Sequence, residues 1–271
     1  LHNLDLRNNQ IANLSALVGS ELGDGDEVYL QGNPLSHTAL TVQIPALEAR
    51  GVIVHYDGQP PDLPIAFADP ELEALVRTAI GKPTGDLYDD DVVGVEFRYL
   101  DAASANISAL GGLEHCKDLW TLILSGNQIQ DLSPLAALNR LEDLSLEHND
   151  IADLTPLSGL TSLTKLMLGS NSIVDCSPLS GLTGLLELDL SANAVMDIAS
   201  LSDLVQLRRL SLSTNEVVDI DALGTLVNLT ALDAGDNSIE DIAALASLAK
   251  LEDVILDISK LESGRLTIAP H

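Results

Sequence analysis

The chain has few basic residues: 13 lysines and arginines stand against 41 aspartates and glutamates in 271 residues, for a formal net charge of −28. Because nucleic-acid binding relies on Lys and Arg to neutralise phosphates, this balance argues against a nucleic-acid partner. Long apolar runs are missing as well. No stretch approaches the about 20 residues that span a bilayer, so we expect no membrane insertion in this segment.

Catalytic signatures are also missing. The sequence contains no H-E-x-x-H, G-x-S-x-G or C-x-x-C pattern, and its six histidines lack metal-ligand spacing. Two acidic stretches, one at Asp24 and Asp26 and one between residues 86 and 91, are interpreted as a turn and a solvated cap. Weak calcium binding is the alternative for both. We therefore predict no enzyme activity, no cofactor and no dedicated metal site.

What the sequence does contain is an asparagine every 22 residues. These ladder asparagines are Asn127, Asn149, Asn171, Asn193, Asn215 and Asn237. Each lies in the frame L-x-x-L-x-L-x-x-N-x-I-x-D-L-x-P-L-x-x-L, whose alternating leucines have the period of a strand with one buried side. One unit cannot bury that side alone, so the units must stack as solenoid turns, with parallel strands about 4.8 Å apart.

Asparagine suits the point where the chain turns after each strand. The turn leaves inward-facing backbone N–H and C=O groups, and a carboxamide both donates and accepts, whereas a carboxylate only accepts. The ladder is therefore interpreted as structural.

A ladder of aspartates follows four residues after the asparagines. Its members are Asp131, Asp153, Asp175, Asp197, Asp219 and Asp241. Each precedes a short Ser/Thr/Ala-Pro-Leu stretch or its equivalent, where an aspartate caps the free N–H groups of a helical turn. A calcium-binding row is the alternative.

These residues resemble leucine-rich repeat proteins, specifically the 22-residue class of bacterial internalins and of the Sds22-like eukaryotic phosphatase regulators. The resemblance covers most of the chain. It implies an α/β solenoid, a horseshoe with a parallel β-sheet on the concave face, short 3₁₀ or irregular convex segments and a helical N-terminal cap. The pairs Pro134-Leu135, Pro156-Leu157 and Pro178-Leu179 fit the convex turns.

The chain divides into four predicted segments. Residues 1–57 hold the last repeats and C-terminal cap of a first array, and residues 58–66 form a proline-rich linker. Residues 67–99 form the helical N-terminal cap of a second array, with a helix from Pro70 to Ile80, and residues 100–271 form that array. Because the sequence starts in mid-repeat, we expect it to be part of a longer polypeptide. After Leu261 we identify neither a repeat nor a cap.

The two cysteines occupy leucine columns of the frame. Cys116 and Cys176 lie more than two turns apart, which at about 4.8 Å per turn exceeds the reach of a disulfide. We expect two buried thiols that behave as small apolar side chains.

Residues between the strand leucines are predicted to project from the concave face and to bind a partner. Taken by register, they are Trp120, Ile123, Glu142, Ser145, Lys165, Met167, Leu186, Asp189, Arg208, Ser211 and Thr230, with Arg209 beside Arg208. The set includes large apolar groups of the kind enriched at binding hot spots. Lys165, Arg208 and Arg209 form a basic spot suited to a carboxylate-bearing ligand. The alternative is that Trp120 covers the junction with the cap and the rest are ordinary exposed residues.

We therefore predict a non-catalytic protein-binding or adhesion module of a long bacterial surface or secreted protein, located outside the cell, with an unidentified protein partner. Two alternatives remain. One is a structural spacer or filament subunit that self-associates through tandem arrays. The other is a regulatory subunit of an intracellular enzyme, which the internal caps and the linker disfavour because that phosphatase regulator has a single array.

Overall fold

The computed structural model describes residues 2–57, 63–93 and 97–257. Backbone contacts divide the chain into two units, Leu1–Ile65 with Gly85–Gly94 and Ala66–Thr84 with Val95–His271. The four segment boundaries above stay a prediction, and residues 85–94 group with the first unit. The predicted linker lies partly, and the end after Leu261 wholly, outside the described residues.

The first unit contains three parallel strands in the order β1 (Asn3–Asp5), β2 (Glu27–Tyr29) and β3 (Ile53–His55). Its helical segments are α1 (Ser15–Val18), a π-helical turn (Ala39–Gln43) that runs into α2 (Ile44–Glu48), and α4 (Asp89–Val92). The helix α2 is followed along the chain by β3, which is centred on Val54. Gly51 follows α2 with φ +82°, a left-handed conformation that glycine adopts without strain.

The second unit begins with α3 (Pro70–Ile80), as the sequence predicts. The Asp69 carboxylate accepts the backbone N–H groups of Glu71 and Leu72, and Gly81 ends the helix at φ +69°. Leu72 and Val76 are fully buried. The helical period counted from Leu72 predicts that Ala79 also lies on the buried face. This prediction is wrong, because Ala79 is exposed.

Within residues 97–257, eight parallel strands follow α3 and form one sheet, ordered from β4 to β11 along the chain. They are β4 (Tyr99–Asp101), β5 (Thr121–Ile123), β6 (Asp143–Ser145), β7 (Lys165–Met167), β8 (Glu187–Asp189), β9 (Arg209–Ser211), β10 (Ala231–Ala234) and β11 (Asp253–Leu256). The central leucine of each strand from β4 to β10 pairs with the equivalent residue one turn later, as Leu122 does with Leu144. In β11 that residue is Val254. The predicted leucine-rich repeat solenoid is confirmed.

Position numbers from 1 to 22 describe each turn, with position 1 at Leu141 or its equivalent. The strand then covers positions 3 to 5, the ladder asparagine is position 9 and the ladder aspartate is position 13. Leucine at position 4 is at most 3% exposed from Leu100 to Leu232. Cys116 and Cys176 are buried in the same core, and burial raises the pKa of the Cys176 thiol.

Short 3₁₀ segments lie on the side of each turn opposite the strand. They are Leu113–His115, Ser133–Ala137, Thr155–Leu157, Ser177–Gly181, Ala199–Asp203, Asp221–Thr225 and Ala243–Ser247. All six ladder aspartates accept the backbone N–H two residues later at 2.8 Å. The predicted capping role is confirmed, because these N–H groups belong to the first residue of each segment.

Candidate protein-binding face

The outer face of the second unit's sheet is formed by positions 3 and 5, which flank the buried leucine at position 4. Position 3 contributes Tyr99, Thr121, Asp143, Lys165, Glu187, Arg209, Ala231 and Asp253, and position 5 contributes Asp101, Ile123, Ser145, Met167, Asp189, Ser211, Asp233 and Ile255. Seven residues of the sequence-predicted binding set therefore share this face. They are Ile123, Ser145, Lys165, Met167, Asp189, Arg209 and Ser211.

The remaining five occupy position 2, one residue before the strand, and are Trp120, Glu142, Leu186, Arg208 and Thr230. The structure places them at the N-terminal edge of the sheet. The Trp120 carbonyl accepts two consecutive N–H groups of the next turn, from Glu142 at 2.8 Å and Asp143 at 3.0 Å. Strict alternation counted from buried position 4 would place position 2 on the buried side. Because this shared carbonyl interrupts the alternation, the position 2 side chains are instead exposed or half-buried at the edge of the sheet.

Two shallow hollows of about 220 Å³ each lie on the sheet face. The first is lined by Thr121, Ile123, Asp143, Ser145, Glu147, Lys165 and Met167 over the leucines of two strands. The second is lined by Met167, Glu187, Asp189, Arg209, Ser211, Ala231, Asp233, Asp253 and Ile255. Met167 lines both, and the unbranched methionine side chain adapts to partners of different shape.

A larger groove of about 490 Å³ runs along the N-terminal edge. It is lined by Lys165, Arg208 and Arg209 together with Asp143, Glu187, Thr164, Leu186 and Thr230. Three cations against two carboxylates make this groove locally positive on a chain whose net charge is −28. The predicted basic spot is thus gathered in one groove.

Glu187 is a part of that groove that the sequence analysis missed. Its Oε2 lies 3.7 Å from Lys165 Nζ and 3.9 Å from Arg209 Nη1. Exposed pairs of this length contribute little to stability, so both cations keep most of their capacity to bind a partner's carboxylate. Strict alternation counted outward from Leu188 identifies Glu187 as a face residue.

Trp120 is 38% exposed and has an unpredicted neighbour. The Arg98 guanidinium carbon lies 4.2 Å from the indole ring centroid, and the backbone N–H of Trp120 donates to the Arg98 carbonyl at 2.8 Å. A cation over the ring is attracted by its quadrupole. One side of the ring is therefore covered within the unit, while the exposed remainder borders the sheet.

The ladder asparagines hold the turns beneath this face in register. In the central turn, Asn171 Nδ2 donates to the carbonyls of Leu146 and Leu168 at 3.0 and 2.9 Å. Its Oδ1 accepts the N–H of Ile151 at 3.0 Å. One side chain thus joins two turns, using donors and an acceptor together.

The residue before each ladder asparagine has a left-handed backbone. These residues, with their φ values, are Gly126 (+71°), His148 (+55°), Ser170 (+58°), Ala192 (+51°), Thr214 (+57°) and Asp236 (+52°). Only one of the six is glycine, although this conformation costs other residues about 1 kcal/mol. The turn that presents the sheet face is therefore fixed by the asparagine bonds against a local preference.

The sheet of the first unit carries its own cluster of charged and aromatic groups. Tyr29 stacks on His55 with ring centroids 4.4 Å apart, and Arg7 lies 5.5 Å over Tyr29. The Tyr29 hydroxyl and His55 both hydrogen-bond to Glu27, which lowers the pKa of that carboxyl. The Arg7 guanidinium lowers the pKa of Asp5 to about 2. These groups are paired with one another on this face.

Within the described residues, no group of three or more His, Cys, Asp or Glu side chains is arranged to hold a metal ion. In both acidic stretches a carboxylate accepts a backbone N–H group. Asp26 Oδ2 accepts the Gly23 N–H at 3.0 Å, and Asp90 Oδ2 accepts the Thr38 N–H at 2.8 Å. Weak calcium binding stays a prediction. None of the helices in the described ranges is long and apolar enough to cross a membrane.

Comparison with known proteins gives a consistent result. The pattern described as leucine-rich repeats (two copies) matches residues 121–159 and 139–183. No curated protein matches the chain. Internalin C2 of Listeria monocytogenes is 35% identical over 73% of this chain and 91% of its own, with a TM-score of 0.66.

Two further solved structures are similar. The internalin inlF of Listeria monocytogenes is 26% identical over 74% of this chain and 77% of its own, with a TM-score of 0.51. A leucine-rich repeat protein of Leptospira interrogans is 19% identical over 95% of this chain and 78% of its own, with a TM-score of 0.58. The latter likeness concerns the fold alone.

Proposed function

Because this chain belongs to the internalin class of leucine-rich repeat proteins, we propose that it is a non-catalytic adhesion module of a long bacterial surface or secreted protein. It recognises a protein partner on the outer face of the second unit's sheet. Leucine-rich repeat folds are in general protein-interaction modules rather than enzymes. This supports the proposal that the chain binds a protein and is not a catalyst.

The observation that carries the proposal is a contrast between buried and exposed positions of the same strands. Position 4 is leucine in every strand from β4 to β10, whereas position 3 changes from Thr121 through Asp143, Lys165, Glu187 and Arg209 to Ala231. Folding requires leucine at position 4, whereas it does not require any particular residue at position 3. The face is therefore free to carry a pattern of side chains that fits one partner.

The partner's chemistry follows from the two parts of the site. The hollows around Ile123 and Met167 suit apolar side chains, which contribute about 1.5–3 kcal/mol each when fully buried. The groove at Arg208 and Lys165 suits a carboxylate beside them. A folded protein that presents an apolar patch next to an acidic residue meets both requirements.

Photo-crosslinking in the full-length protein tests the proposal. The photoreactive residue p-benzoyl-phenylalanine is placed at Ser145 or Ser211 on the sheet face and, as a matched control, at exposed Ser180 in a 3₁₀ segment. We expect a covalent adduct with one distinct protein from the two face positions and none from Ser180. Equal adducts from all three positions contradict the proposal. Adducts with a second copy of the chain favour the filament-forming alternative.

Once a partner is captured, two substitutions measure the contribution of each part. Met167→Asp places a charge between the hollows, and Arg208→Glu reverses a charge in the groove. Each is expected to weaken binding by about tenfold or more, as at hot-spot positions. Thermal unfolding should change little, because Arg208 is exposed and Met167 is half-buried outside the leucine core.

A further inference from the structure

A second surface of this unit lies after the ladder asparagines, away from the sheet face. It comprises positions 10 to 13 of six successive turns, and we name it the acidic band. Its segments are residues 128–131, 150–153, 172–175, 194–197, 216–219 and 238–241. Position 11 is buried in each turn, with at most 5% exposure, while positions 12 and 13 are exposed.

Backbone hydrogen bonds align the band from one turn to the next. The N–H at position 10 donates to the carbonyl at position 11 of the preceding turn. The Ser172 N–H reaches the Ile151 carbonyl at 2.9 Å, and the Glu216 N–H reaches the Val195 carbonyl at 3.0 Å. Equivalent side chains are therefore stacked in rows with the spacing of parallel strands, about 4.8 Å.

The row at position 12 is apolar in the middle of the array. Val174 and Met196 are each 58% exposed, Val218 is 45% exposed, and Ala152 extends the row by one exposed turn. Polar residues, Gln130 and Glu240, end it. A single exposed apolar side chain is ordinary. Large apolar side chains in three adjacent turns form a continuous stripe, which is typical of an interaction surface.

The surroundings of this stripe carry charge of one sign. The band contains nine carboxylates, Asp131, Asp150, Asp153, Asp175, Asp197, Glu216, Asp219, Glu240 and Asp241, and no Lys, Arg or His. A second copy of this chain would meet the stripe with the same negative band and be repelled. Anionic lipid is disfavoured for the same reason. Charge complementarity selects a positively charged occupant with an apolar face.

We propose that the acidic band binds a basic amphipathic α-helix of a partner protein. Apolar residues on one face of a helix recur about every 5.4 Å along its axis, close to the spacing of the stripe. About three helical turns therefore cover the stripe from Ala152 to Val218. Lysines and arginines beside the apolar face then meet Asp175, Asp197 and Asp219. This function is separate from recognition on the sheet face.

A designed helix provides the probe. It is a fluorescent peptide of about 18 residues, blocked at both ends, with leucines at i, i+3, i+7 and i+11 and lysines elsewhere. The control peptide has the same composition in scrambled order. We expect the amphipathic peptide to gain helical circular dichroism on binding, and fluorescence anisotropy to show affinity at least about tenfold above that of the scrambled peptide.

Two matched variants locate the binding. Met196→Lys introduces a charge into the stripe, while Val227→Lys makes the same kind of change at a 51% exposed position outside the band. Met196→Lys is expected to weaken binding by about tenfold, Val227→Lys to leave it within about twofold, and Met196→Leu to retain it. Equal affinity for the scrambled peptide, or equal weakening by both lysine variants, overturns the proposal in favour of general charge attraction. Dimerisation that Met196→Lys abolishes in sedimentation also overturns it, because a second copy would then occupy the stripe.

Discussion

Asn149 Oδ1 accepts the backbone N–H of Ile129 at 3.0 Å, although the two residues are 20 positions apart in the chain. The same side chain donates from Nδ2 to the carbonyls of Leu124 and Leu146, each at 3.0 Å. Asn149 is 8% exposed, so water does not readily replace these partners.

Replacing Asn149 by leucine should therefore cost about 3 kcal/mol of unfolding free energy, since several buried backbone groups lose their partner at about 1–3 kcal/mol each. Urea unfolding followed by circular dichroism measures this value. Asn139→Leu, at an exposed position, is the control and should change stability by less than about 0.5 kcal/mol. A loss below about 1 kcal/mol for Asn149→Leu would show that the ladder does not hold the turns together.

Asp69 gives the second unit a pH dependence. Burial raises the pKa of its carboxyl, but N–H groups of Ser108, Leu72 and Glu71 outweigh it, so the folded-state pKa lies below the ordinary 3.8. A carboxyl with a depressed pKa contributes its full stability above the unfolded-state pKa and loses it as pH falls through the folded-state pKa.

Asp69→Asn should accordingly be less stable than the parent at pH 7, by about 1 kcal/mol. The difference should shrink once pH falls below 3.8. Urea unfolding at a series of pH values checks this, with Asp203→Asn, an exposed change of the same charge, as the control. A difference that does not vary with pH would mean that the charge of Asp69 does not matter.

Substitutions at the left-handed residues that precede the ladder asparagines can raise stability as well as lower it. Thr214→Gly should stabilise the protein by about 0.5 kcal/mol, because relief of the left-handed conformation exceeds glycine's extra freedom in the unfolded chain. Gly126→Ala should destabilise it, because φ is +71° there and an added Cβ lies 2.8 Å from Ser104 Oγ. Chemical unfolding of both variants measures the two changes in unfolding free energy. Destabilisation by Thr214→Gly would show that the threonine side chain itself contributes to the turn.

Glu187 separates binding from folding. Its contacts with Lys165 and Arg209 are long and exposed, so Glu187→Gln should change unfolding free energy by less than about 0.5 kcal/mol. The variant leaves both cations without this carboxylate and should speed association with an acidic partner, most clearly at low salt. Differential scanning calorimetry tests the prediction on stability, and stopped-flow binding tests the prediction on the association rate. A stability loss above about 1 kcal/mol would make the three residues a structural cluster instead.

The repeated parts of the fold follow directly from the sequence. The 22-residue spacing of Asn127 and its counterparts sets the turn length, and the leucine alternation sets which side is buried. The limits of α3 were also predicted, because Asp69 and Gly81 are strong start and stop signals. Each of these features depends on contacts between residues that are close in sequence or that recur at a separation of 22 residues.

The binding face was less predictable. Position 2 residues such as Leu186 and Arg208 were assigned to the sheet face, but they precede the strands and lie at the edge. The two consecutive N–H groups that share the Leu186 carbonyl interrupt the alternation there, and the leucine spacing alone does not reveal this. Arg98 over Trp120 depends on chain before the first regular turn, where no period applies. The apolar stripe of Val174, Met196 and Val218 was not identified, since only stacking makes residues 22 apart into neighbours.

The parallel pairing of β4 to β11 has a mechanical consequence. Tension applied at the ends of this unit loads neighbouring strands one pair after another, as in a zipper, rather than shearing the whole sheet at once. Each 22-residue turn that detaches releases about 70 Å of contour length, given about 3.3–3.6 Å per extended residue. A force-extension curve should therefore show small, evenly spaced steps at low force. A solenoid that yields in this way lengthens gradually under load and can recover one turn at a time.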